Sequence, residues 1–339
     1  MTSGAMWFIA VIAILPLLLC GEGQRVQTPQ AIVAKDGSGN YTTITDAIIS
    51  APNNSVNKYN IIIKHGTYYE YIQVDKWKTN IVLIGQGMDN TIISGNKSYG
   101  GDGIKTSLTA TVGVNGKGFM AQDITFRNNA GRENQQAVAL RAEADFLTFY
   151  RCRFDGFQDT LYTKEGRQFY RDCEIFGTID FICGDATAVF QNSLIEARLS
   201  LPNQYNTITA QHRELFNLTT GIVLQNCTLK ATQELEKMGN VTTYLGRPWG
   251  NFSRTVVMHS YIDHFINPRG WVEFITESLL QPFYLEYENR GPGAITDGRV
   301  EWASVTRDSE IASKFTVRHF IGGDKWIPAD VPYYLDLHE

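Results

Sequence analysis

The chain has 339 residues, 43% of them hydrophobic and 19% charged, with a formal net charge of −5 and a sequence pI of about 5.7. So large an apolar fraction excludes a disordered polyelectrolyte. Mild acidity, with no basic patch interleaved with aromatics, argues against a nucleic-acid surface or one made to cling to polyanions.

The N-terminus is read first for targeting. Trp7 to Cys20 is almost wholly apolar and GEGQ follows, which has the length of a signal-peptide core rather than of a membrane span of about 20 residues. The expectation is a cleaved signal peptide over residues 1–23, taking Cys20 with it, and a mature chain over 24–339. The segment before the apolar run lacks a positive charge, so an uncleaved anchor is the competing reading. Seven N-x-S/T sequons start at Asn40, Asn53, Asn96, Asn217, Asn226, Asn240 and Asn251 and fit a secreted glycoprotein. Asn226 falls inside an expected strand and is expected to stay unmodified. No linker or low-complexity tract divides the mature chain.

Thr43 to Pro52 is the best helix: Ile44, Ala47, Ile48 and Ala51 recur at helical spacing and Pro52 stops it. Its expected job is to cap one end of a β-solenoid, hiding unpaired backbone groups. Ile61–Gly66 and Ile81–Gly87 are expected to be the first coils. Short similar lines then recur: ITFRNN from Ile124, FYRCRF from Phe149, FYRDCEI from Phe169, VFQNSLI from Val189, VLQNCTL from Val223 and VVMHSYI from Val256. Aligned on Asn128, Cys152, Cys173, Ser193, Cys227 and Ser260, they step by 24, 21, 20, 34 and 33 residues. Each line has the β-branched and aromatic content of a short buried strand, at about one coil per step. The fold expected is all-β, a right-handed parallel β-helix whose coils bury their inner faces by stacking. The chain after Pro268 lacks such lines and is expected to pack along the side as loops and short helices.

Stacking gives the spacing chemical meaning. Asp159 and Asp180 are 21 residues apart, as are Cys152 and Cys173, and residues one coil apart stand roughly 4.8 Å from each other. Two carboxylates would therefore share a face. Cys152 and Cys173 would fall inside the Cα separation of roughly 4.4–6.8 Å that a disulfide needs, and that disulfide is expected, with Cys183 and Cys227 as free thiols. An Asp beside Gly or Thr is more often a turn former, so each aspartate alone says little. No GxSxG elbow is present. The six histidines, His65, His212, His259, His264, His319 and His338, have no metal-ligand spacing, so no metal is expected.

QAVALR from Gln136, FQDTLY from Phe157, GTIDFICG from Gly177, TAQHR from Thr209 and YLGRPWG from Tyr244 resemble, in order and spacing, the signature segments of plant pectin methylesterases. The resemblance runs from Ala34 to Pro328. It implies a secreted, cell-wall carboxylic ester hydrolase that removes methyl groups from homogalacturonan, with no cofactor. Asp180 would be the nucleophile and Asp159 the acid and then base. Arg247 would orient Asp180 and keep it ionised, while Gln136 and Gln158 would stabilise the oxyanion. Gln136, Thr106, Tyr162, Arg247, Trp249 and Trp271 would bind substrate, the two tryptophans as exposed sugar platforms. Pectin is the expected partner and a proteinaceous pectinesterase inhibitor a further one. A monomer is expected, in the short form without an inhibitor-like pro-segment. The chain departs from the pattern at Cys183, where phenylalanine is usual, at Ser107 and Ile104, where aromatics are common, at His212 for glycine, and at Ser193, opposite Cys227, for cysteine. Two readings stay open beside the esterase: a glycosidase or lyase on the same scaffold, and a silent wall-binding protein.

Overall fold

The computed structural model describes residues 29–239, 241–274 and 281–337. The expected signal peptide, the sequon at Asn240 and His338 lie outside them. Among the described residues three parallel sheets of eleven, seven and eight strands run side by side, each ordered by its place in successive coils. This is the expected parallel β-helix. The interior is one apolar cluster reaching from Ala31 to Val300. Its axis carries stacked rings: in that stack the Phe149 ring centre lies 4.9 Å from Tyr170, and Tyr170 lies 4.3 Å from Phe190, with the ring planes nearly parallel. Register puts these three opposite one another, one per coil, and offset aromatic stacking adds to the area they bury.

The coil period is set at one corner. Asp123, Arg151, Asp172, Asn192, Asn226, His259 and Glu288 all have positive φ. Asp and Asn tolerate that left-handed conformation best. The residue following the corner then points inward, which is why Cys152, Cys173, Ser193, Cys227 and Ser260 recur there. Strand register joins Thr125, Arg153, Glu174, Leu194, Thr228 and Tyr261. The steps are therefore 28, 21, 20, 34 and 33. The last four agree with the sequence reading. The first does not, because Ile124 rather than Asn128 is the coil equivalent of Cys152: the loop carrying the turn Arg132–Asn134 lengthens that coil.

The expected helix forms over Ile44–Ser50 with Thr43 as its N-cap and Ile44, Ala47 and Ile48 buried. Glu70 accepts from the backbone N–H groups of Ile44 and Thr45, both at 2.9 Å, so two open donors of the first turn are satisfied. The expected Cys152–Cys173 disulfide is not formed. Both cysteines are buried and free, as are Cys183 and Cys227. The physical reason is that each thiol donates to carbonyls of its own and the preceding coil: Cys152 to Ala121 and Tyr150, Cys173 to Phe149 and Arg171. The two sulfurs thus stack in the same direction rather than facing each other.

The C-terminal reading needs correction too. Phe283–Tyr287 pairs in full register with Arg254–Met258, and Ser304–Thr306 pairs with Leu285–Tyr287, so two more strands follow Pro268. Beyond them Ser309–Ser313 and Val317–Ile321 are short helices, as expected. They cover the outer face of the eleven-stranded sheet, where Phe169, Val189, Val223 and Val256 meet Ala312, Phe315, Val317 and Ile321.

Candidate active site

The seven-stranded sheet forms the floor of a cleft. Its register aligns Gly113, Arg141, Tyr162, Cys183, Ala210 and Arg247 on successive strands. Asp159 stands just before the strand Leu161–Glu165 and Asp180 is the second residue of Ile179–Gly184, with φ of 58° and 53°. The Asp159 N–H donates to Ile179 O at 3.0 Å, which locks the two aspartates one coil apart. The left-handed conformation turns both side chains away from the interior, and both line the cleft.

Asp180 is buried and fully engaged. Arg247 donates from Nε to Oδ1 at 2.8 Å and from Nη2 to Oδ2 at 2.5 Å. Thr207 Oγ1 donates to Oδ1 at 2.6 Å and accepts from the Asp180 N–H at 2.9 Å. A forked, charge-assisted pair of this kind fixes the plane of a carboxylate as well as its charge. Burial works against the guanidinium charge of Arg247, yet the bond to Asp180 outweighs it and holds that group above its ordinary value. Arg247 Nη1 also donates to Tyr205 Oη at 3.2 Å, and its guanidinium lies 4.4 Å from the centre of the Phe274 ring.

Asp159 has the opposite environment. Removal from water pushes its carboxyl well above the usual carboxylate range, and the charge of Asp180 pushes the same way, with Arg247 only partly opposing. One carboxylate is thus held by a cation while the surroundings of its neighbour favour the protonated form.

Gln136 and Gln158 pair through an isolated parallel bridge above the two aspartates and line both arms of the cleft. No amide ladder forms between their side chains among the described residues, and Gln136 Oε1 is buried without a partner. The cleft has two arms meeting at Gln136, Gln158 and Arg247. One, of about 390 Å³, carries Thr106, Tyr162, Cys183, Trp249 and Phe274, and the other, of about 380 Å³, carries Tyr205 and Gln204. Trp249 is 38% exposed and stands 4.2 Å from the His212 ring. Burial pushes the Cys183 thiol well up, and the charges of Asp159 and Asp180 add to it. Burial likewise raises the Tyr162 hydroxyl to about 12.

Eight of the nine residues expected at the site, Asp159, Asp180, Arg247, Gln136, Gln158, Tyr162, Thr106 and Trp249, line this cleft. Trp271 does not. It is fully buried, donates from Nε1 to Glu286 at 3.2 Å and packs edge-on against Tyr284. The expectation of an exposed sugar platform is therefore corrected at Trp271: its ring is a wedge behind the strand that carries Arg247. Sequence reasoning missed Thr207, Tyr205 and Phe274. Thr207 had a signal, since Asn206–Gln211 is the next strand beside Ile179–Gly184, but a loop between them makes that step 27 residues for Asp180 and Thr207.

The sequence model of pectinesterases matches residues 30–324. The chain belongs to the pectinesterase family. It is 52% identical, over 92% of its own length, to a pectinesterase/pectinesterase inhibitor of Prunus persica, of which it spans 60%. Its coordinates match a pectin methylesterase from carrot with a TM-score of 0.90 and 44% identity, covering 93% of this chain and all of that one. They also match a pectin methylesterase in complex with a hexasaccharide, with a TM-score of 0.75, 26% identity and coverage of 90% and 100%. The chain spans about 60% of the length of the first of these relatives.

Proposed function

We propose that residues 24–339 act as a secreted pectin methylesterase, cutting methyl esters of homogalacturonan to release methanol in the cell wall. The observation that carries this reading is the unequal carboxylate pair, Asp180 forked onto Arg247 and Asp159 beside it in a buried place that raises its carboxyl. Family membership and the hexasaccharide held by a relative support a galacturonan substrate. A proteinaceous inhibitor and a monomeric state belong to the same reading.

The steps follow from the geometry. A carboxylate oxygen of Asp180 attacks the ester carbonyl carbon, and the negative oxygen that forms takes hydrogen bonds from the Gln136 and Gln158 amides. Collapse breaks the bond to the methoxy oxygen, which leaves as methanol with the proton of Asp159. Asp159, now a carboxylate, removes a proton from water. The hydroxide attacks the acyl carbonyl, Asp180 departs as carboxylate, and galacturonate is left.

Methanol release from highly methylated pectin tests the reading. Methanol without new reducing ends is expected. Reducing ends would favour a glycosidase, and neither product would leave a binding protein. Gln158→Ala should lower kcat by about 10²–10³ with little change in KM, because the amide acts on the transition state; an unchanged kcat would remove Gln158 from the oxyanion site. Cys183→Phe adds aromatic area beside Tyr162 and Trp249 and should lower KM on pectin roughly threefold to tenfold. An unaltered KM would mean that this position does not meet the sugar.

A further inference from the structure

Gln135 stands immediately before Gln136 and closes the turn Arg132–Asn134, with φ of 58° and ψ of −140°. That conformation lies beside the region that in practice only glycine occupies, because a Cβ crowds the neighbouring peptide there. The chain nevertheless places a glutamine at this joint, exposed on the wall of the arm that carries Tyr205.

The structure on both sides explains why the joint does not relax. Upstream, Asn134 donates from Nδ2 to Ala130 O at 2.5 Å and from its N–H to Gly131 O at 3.3 Å, and Arg132 Nη1 donates to Leu199 O at 3.2 Å. Gly100 packs so close to Asn134 that a Cβ on it would stand 2.8 Å from Asn134 O. Downstream, Tyr99 N–H donates to Gln136 O at 2.8 Å and Ala137 N–H donates to Gln158 O at 3.1 Å. Two pinned segments leave one residue to take up the misfit, and strain persists where the surroundings over-determine a position in this way. The Gln136 side chain, by contrast, is held by no hydrogen bond among the described residues, and its Oε1 is buried without a partner. Its direction is set by its backbone and by packing.

We propose that Gln135 is a positioning residue: its strained backbone aims the Gln136 amide at the place where the oxyanion forms. This rests on the esterase reading. A donor stabilises an oxyanion fully only when it is oriented before the charge develops, and a misplacement of about 1 Å can cost about 10²-fold in rate. A loose joint would let Gln136 spread over several directions, which slows the chemical step and leaves ground-state binding nearly untouched.

The test compares Gln135→Ala with Gln135→Gly by methanol release from highly methylated pectin. Alanine removes the side-chain amide but keeps a Cβ, and the strain with it; glycine removes both. Gln135→Ala should leave kcat near that of the unaltered chain. Gln135→Gly should lower kcat about five- to twentyfold, part of what a whole oxyanion donor supplies, with KM nearly unchanged. Its thermal midpoint should stand about 1–3 °C above that of Gln135→Ala, because the strain is released. In a Gln136→Ala background the glycine substitution should cost no further kcat, since no amide is left to aim. A Gln135→Gly protein as fast as Gln135→Ala and the unaltered chain overturns the proposal. An equal loss in both variants assigns the effect to the side chain, and a further loss on Gln136→Ala shows an action that bypasses Gln136; either result overturns it too. No methanol from the unaltered chain overturns the esterase reading, and this inference with it.

Discussion

Asp180→Asn is expected to reduce kcat for methanol release by about 10⁴-fold or more, the scale of removing a nucleophile from a constellation that works as a unit. Asparagine has nearly the same shape, and Thr207 and Arg247 still meet its carbonyl oxygen, so the coil should close as before. An amide nitrogen, however, turns a donor towards a guanidinium and cannot attack an ester. Circular dichroism and the thermal midpoint report the fold, and a gas or coupled-enzyme assay reports methanol. Near-normal activity in a folded Asp180→Asn protein would remove Asp180 from the reaction.

The second large effect belongs to Asp159. Asp159→Asn should lower kcat by about 10²–10⁴, the usual share of a positioned acid and base. The pH profile is the sharper readout. Asp159 must hold its proton for methanol to leave, and its carboxyl titrates above the ordinary range because of burial and the Asp180 charge. Activity should therefore fall as pH rises through that elevated value, and the fall should be absent in the residual activity of Asp159→Asn. Stability carries the same sign: the folded chain keeps a proton that the unfolded chain has released, so this group's contribution is complete below the unfolded aspartate value. It is lost as pH rises through the folded one. The asparagine variant should lose stability less steeply over that window.

Much of this was legible in the sequence because a solenoid writes its geometry as a period. One spacing of 21 residues placed Asp159 over Asp180 and Tyr162 over Cys183. Such readings held wherever the loops kept their length. They failed where a loop changed: the coil through Arg132–Asn134 displaced the alignment of Asn128, and Phe283–Tyr287, isolated from any similar line, passed as loop although it continues the eleven-stranded sheet. A period also says which residues stack but not how their side chains turn. Cys152 and Cys173 stack and yet each points its thiol at a carbonyl. Trp271 follows its glycine as the motif requires but faces Glu286 and Tyr284 instead of the cleft. Phe274 carried no motif at all; only the folding of its loop brings it to Arg247.

The central claim is that two neighbouring carboxyls hold different protonation states. Infrared difference spectroscopy of the unliganded protein, followed as pH rises from the ordinary aspartate value, measures this directly. The account predicts the carbonyl stretch of a protonated carboxyl that disappears in Asp159→Asn and persists in Asp180→Asn. A spectrum without that band, or one in which Asp180→Asn abolishes it and Asp159→Asn does not, would contradict the assignment of acid and nucleophile.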